Sequence, residues 1–89
     1  MMVAKVKGNI VCSHKADKLK GHKLLIIQQV EARTKKPVGK PFVATDVAQA
    51  GVGDLVLVAR HGSAVSAIFN DKIPCNAVVV GVIDEIHFE

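Results

Sequence analysis

Five consecutive aliphatic residues, Leu55-Val56-Leu57-Val58-Ala59, constrain this chain more than any other stretch. Side chains alternate along an extended strand, so Val56 and Val58 take one face and Leu55 and Leu57 the other. A strand that is apolar on both faces is buried twice. With 89 residues the chain can build one modest core as a single domain spanning 1–89. The second burial therefore points to a neighbouring subunit. Small-residue turns flank the strand: Ala48–Asp54 leads in through Gly51 and Gly53, and His61-Gly62-Ser63-Ala64 leads out. Both Gly51 and Gly53 are predicted to adopt turn conformations that a β-carbon would penalise.

Composition extends the argument. Apolar residues make up 49% of the chain, while its only aromatic residues are Phe42, Phe69 and Phe88. The core must be built from Val, Ile, Leu and Ala, and association is the natural way to bury the aliphatic surplus.

The hydrophobic pattern predicts five strands. Strand one runs Met2–Cys12, with Met2, Ala4, Val6, Ile10 and Cys12 on one face and a bulge or bend at Gly8. A lysine-rich connection follows, with room for a short helical turn around Ala16–Leu19. Strand two is Leu24–Glu31, and residues 32–40 form an exposed basic hairpin loop carrying Arg33, Lys35 and Lys36. Strand three is Pro41–Val47, strand four Leu55–Arg60 and strand five Ala77–Phe88. Gly62–Phe69 reads either as a loop leading into one helical turn or as a short strand. Asn70–Lys72 reads as a turn and Ile73–Cys75 as an irregular entry. Short strands this numerous favour a small, closed or nearly closed antiparallel barrel, because closure removes exposed edges. An SH3-like barrel or a small sandwich is the alternative.

Several function classes fall away. No stretch approaches the roughly 18 apolar residues of a membrane span, and the opening MMVAKVKGN lacks the apolar block of a signal peptide. Cys12 and Cys75 are expected as two buried thiols in a reducing cytoplasm. His14, His22, His61 and His87 have no metal-ligand spacing, so neither metal nor cofactor is expected. Gly51-Val52-Gly53 precedes a strand, so no helix N-terminus would meet a phosphate there. His61 and Ser63 lack the surrounding pattern of a nucleophile and its base. Asp84 and Glu85 are adjacent and would point to opposite faces of a strand. The chain is not expected to be an enzyme.

Charge is segregated. Residues 1–40 hold ten Lys/Arg against two acids, and residues 41–89 hold two against six, for a net charge of +4. A small basic barrel raises the alternative of an OB-like nucleic-acid-binding domain. Such binders stack bases on surface aromatics, and the three phenylalanines here sit in largely apolar contexts. Nucleic acid is therefore not an expected partner. Complementary surfaces between copies of one subunit fit the segregation as well.

Three separated motifs carry a family resemblance. GNIVCSHKADKLKGHKLLIIQQV resembles the opening of the bacterial microcompartment vertex proteins, the EutN/CcmL family. VATDVAQAGVGDLVLVARHGSAVSA is similar to that family's second signature, and IPCNAVVVGVIDEI to its third. The resemblance implies an OB-like, five-stranded β-barrel that assembles as a cyclic pentamer. It also implies that the pentamer plugs the five-fold vertices of a cytoplasmic protein shell, beside hexameric shell proteins. By the same resemblance, Gly62, Ser63 and Ala64 line a narrow opening on the five-fold axis. Val65 and Ser66 replace the family's usual arginine, Asn76 replaces its usual aspartate, and His61 is a variant before the glycine.

Overall fold

The computed structural model describes residues 1–12, 21–60 and 76–89. Five strands are present: β1 (Met2–Ile10), β2 (Lys23–Gln29), β3 (Phe42–Asp46), β4 (Leu55–Arg60) and β5 (Ala77–Val82). They close into a barrel in the order β1-β2-β3-β5-β4. All neighbours are antiparallel except β3 and β5. The expected barrel is therefore right in kind but not antiparallel throughout. Parity forces the exception: directions cannot alternate around a closed ring of an odd number of strands.

The core is aliphatic, as composition requires. Ala4, Val6, Leu25, Ile27, Ala44, Ala50, Val56, Val58, Ala77 and Val79 form its buried cluster, with Met2, Phe42 and Ala48 packed against it. Each fully buried valine or leucine contributes on the order of 1.5–3 kcal/mol relative to exposure. In β4, Val56 and Val58 face this core while Leu55 and Leu57 are only half-buried on the outer side. Outward-facing Ala59 and Val78 make a second small cluster with Val80.

The barrel corrects several expected boundaries. The β1–β2 register slips between Val6 and Gly8, which confirms the bulge. One extra residue flips the phase of everything beyond it. Ile10 therefore pairs with Leu24 and Asn9 with core-facing Leu25, so Ile10 does not share the face of Ala4 and Val6. Val11 and Cys12 lie beyond the strand and are exposed, so Cys12 is not a buried thiol. β5 ends at Val82 and not at Phe88. Ile83 still donates to the Leu55 carbonyl at 2.8 Å, but the charged pair that follows has no apolar face to bury. Asp84 and Glu85 thus lie outside any strand. The expected helical turn at Ala16–Leu19, the readings over 62–75 and Cys75 all fall outside the described residues.

Candidate assembly site

One end of the barrel is closed by the turn from Asp46 to Asp54, and two carboxylates shape it. Asp46 accepts from the Ala48 amide at 2.9 Å and from the Ala50 amide at 2.8 Å. Its side chain is 0% exposed and lies 3.6 Å from Lys23 Nζ, which is itself 49% exposed. The same ammonium donates to the Ala50 carbonyl, tying β2 to the turn. Asp54 accepts from the Gly51 amide at 2.8 Å. The turn is stitched to β1 from both sides, through Gly53 N to Val6 O and Val6 N to Asp54 O, each 2.9 Å.

Positive φ falls on Gln49 (57°) and Gly53 (92°). Gly53 therefore plays the predicted role, whereas Gly51 does not. A Cβ on Gly51 would meet Asp54 Oδ2 at 3.8 Å, an ordinary contact. Beneath the turn lies a half-open cavity of about 220 Å³ lined by Asn9, Lys23, Leu25, Ala50, Gly51 and Val52. Its one cation is already engaged by Asp46 and Ala50, and its rim residue Val52 is 65% exposed.

The opposite end carries the hairpin and the last residues of β4. Glu31 accepts from the Thr34 amide at 2.8 Å and the Arg33 amide at 3.1 Å. These bonds hold the Glu31 carboxyl below its ordinary pKa, Thr34 contributing most and Arg33 next. Lys35 N donates to Glu31 O and Glu31 N to Lys36 O, closing the loop on itself. Buried Gln28 braces the far arm, its Nε2 lying 3.0 Å from Val38 O and 3.2 Å from Gly39 O. The basic loop expected from the sequence is thus both exposed and organised.

Two guanidinium–ring contacts mark this end. Arg60 lies 4.2 Å over Phe42, and Arg33 lies 4.0 Å over Phe88. Phe88 is 45% exposed, so it is not in the apolar setting expected for it. Both described phenylalanine rings already carry a cation on one face, which leaves a poor platform for bases. Phe69 lies outside the described residues.

The expected axial loop Gly62-Ser63-Ala64, with His61, Val65 and Ser66, also lies outside the described residues. Its neighbours on either side are placed: Arg60 ends β4 and is paired with Ala77 at the start of β5. Asn76 is exposed. Among the described residues no three His, Cys, Asp or Glu side chains cluster as metal ligands. Among the described residues no helix is long and apolar enough to cross a membrane.

What remains for contact is the outer surface. Half-buried Val3 pairs with Leu57 across β1 and β4, and half-buried Ile26 pairs with exposed Val43 across β2 and β3. Exposed Val47 and Val52 add to it. Sequence reasoning anticipated the unburied side of β4. That Ile26 on β2 joins exposed Val43 of β3 in a second patch follows only from the strand pairing.

Comparison with known proteins fits this barrel. The family model for "Ethanolamine utilisation protein EutN/carboxysome" matches residues 1–84. The carboxysome shell vertex protein CcmL of Synechocystis sp. is 39% identical over 87 residues, covering 98% of this chain and 86% of that protein. The microcompartment shell vertex protein EutN of Salmonella typhimurium is 35% identical, covering 97% and 86%. The solved structure of the GrpN pentameric microcompartment shell protein from Rhodospirillum rubrum superposes with a TM-score of 0.84 at 29% identity, covering 100% of both chains. A family match over most of the chain and relatives this similar over nearly their whole length have one reading: the chain belongs to the EutN/CcmL family of microcompartment shell vertex proteins.

Proposed function

We propose that five copies of this chain form a cyclic homopentamer that caps the five-fold vertices of a bacterial microcompartment shell in the cytoplasm. The observation that carries this is the full-length likeness to a shell protein that is itself pentameric. The described strands close into a barrel, which leaves copies little sheet edge to pair. We expect copies to meet through outer side chains, where aliphatic surface remains. A ring needs two different patches on each subunit, each meeting its complement on the next copy. The role is structural and not catalytic. Flat hexameric tiles cannot close a shell, and pentamers supply the curvature where those hexamers converge. Gly62, Ser63 and Ala64 crowd the axis of the ring, where five copies leave space only for small side chains.

Native mass spectrometry at micromolar concentration should report five subunits, and a clean monomer would refute the proposal. Ala64→Trp tests the axial loop in the same experiment. Each overpacked contact costs about 1–3 kcal/mol, and symmetry repeats it five times. The variant should weaken the pentamer while circular dichroism still shows a folded barrel. An Ala64→Trp pentamer as stable as the parent would remove the loop from the axis.

A further inference from the structure

Among the described residues, the segment after β5 meets the hairpin through one guanidinium–ring contact. From Ile83, bonded to Leu55 O, residues 84–89 run without regular structure to the hairpin, where Phe88 lies beneath Arg33. Asp84, Glu85, His87, Phe88 and Glu89 are exposed, and Ile86 is half-buried. His87 Nε2 and Glu85 Oε2 are 3.1 Å apart, but that contact stays within the segment. Fixing six residues in one conformation costs several times what one exposed guanidinium–ring contact returns.

The receiving side is better built. Glu31 sets the backbone of Arg33 and Thr34, and Val30 bridges Pro37 across the hairpin base. Charge is complementary as well. The segment brings Asp84, Glu85 and Glu89, and the hairpin offers Arg33, Lys35, Lys36 and Lys40.

We propose that in the assembled ring this segment engages the Arg33 hairpin of the neighbouring copy, making between chains the contact a lone chain makes within itself. The proposal rests on the pentameric reading above. Exchange of an identical element keeps every partner group and is a low-cost route to association. In a cyclic array each hairpin receives one segment and each segment finds one hairpin, so the exchange closes with the ring.

Cross-linking separates the two arrangements. In a background of Cys12→Ser and Cys75→Ser, single thiols are introduced as Thr34→Cys in one protein and His87→Cys in another, leaving Arg33 and Phe88 in place. The two proteins are refolded together and treated with a short bis-maleimide. A link between positions 34 and 87 can then only join two chains, and its cross-linked peptide is expected by mass spectrometry. The doubly substituted chain should give a denaturing-gel ladder reaching five subunits. If that chain yields only internally linked monomer and the mixture yields no such peptide, while native mass still reports pentamers, the exchange is overturned and the pentamer stands. A monomeric native mass overturns both.

Discussion

Two loops of this barrel are shaped by the same device set in opposite surroundings. Between β3 and β4, Asp46 accepts two backbone amides at 2.9 and 2.8 Å; between β2 and β3, Glu31 accepts two at 2.8 and 3.1 Å. The bonds are alike in length and kind. The Asp46 side chain, however, is 0% exposed and is joined by Lys23, whereas Glu31 stands in solvent. Water can take over the amides that Glu31 releases, but it has poor access to those held by Asp46. A hydrogen bond matters to stability according to what replaces it when it is lost. The buried Asp46 carboxylate holds its turn against the core, and the exposed hairpin presents charge.

The strongest way to break the comparison is to remove the buried carboxylate. Asp46→Ala leaves two amides without acceptors and Lys23 without its counter-ion. A loss of about 2–4 kcal/mol is expected, below the full cost of breaking a buried pair because Lys23 is half-exposed. That is a large share of the roughly 5–15 kcal/mol available to a small domain. Asp46→Asn keeps one acceptor oxygen and should lose less. Urea unfolding of both variants beside Glu31→Ala provides the measurement. Equal midpoints for Asp46→Ala and Glu31→Ala would end the distinction.

Gly53 and Gly51 sharpen it within the Asp46 turn. Gly53 has φ of +92°, a region costing a β-carbon about 1–2 kcal/mol. Gly51 has no positive φ and room for a methyl group. Gly53→Ala should lower the unfolding free energy by that amount, and Gly51→Ala should stay within about 0.5 kcal/mol of the parent. Matching losses at both positions would mean that the turn differs in solution.

Strand existence was legible because burial here follows period-2 alternation. Val56 and Val58 against Leu55 and Leu57 are sorted as the pattern demands, and Phe42–Asp46 sits within one residue of expectation at each end. What misled was information held by other strands. The bulge beside Gly8 was readable, yet which face Ile10 takes depends on its pairing with Leu24. The β5 run Ala77–Ile83 looked able to continue to Phe88, but pairing stops with the Ile83 bond to Leu55. Asp46 and Glu31 carried no signal as acceptors, since each acts on amides two to four residues ahead through turns that only the fold defines. The loop at Gly62–Ala64 was named from family likeness alone, and its place on the axis rests on the assembly.

The mildest effect belongs to Glu31, and pH reads it. Its carboxyl lies below the ordinary value of 4.5 because the Thr34 and then the Arg33 amide donate to its charged form. A group depressed in the folded state stabilises above its unfolded pKa, and that contribution disappears as pH falls through the folded pKa. The hairpin should therefore be fully organised at neutral pH and loosen only in acid, at a midpoint below 4.5. Amide resonances of Arg33 and Thr34 should titrate together with that midpoint, while those of β4 stay fixed. Glu31→Gln should abolish this titration and leave the unfolding midpoint at pH 7 nearly unchanged, since the amides turn to water. Arg33 would then be less firmly presented to Phe88 without any loss of the barrel. Were Glu31 to titrate at or above 4.5, its bonds to Thr34 and Arg33 would not persist in solution. The hairpin would then be a charged loop without a preset shape, and the likeness to the Asp46 turn would be one of drawing only.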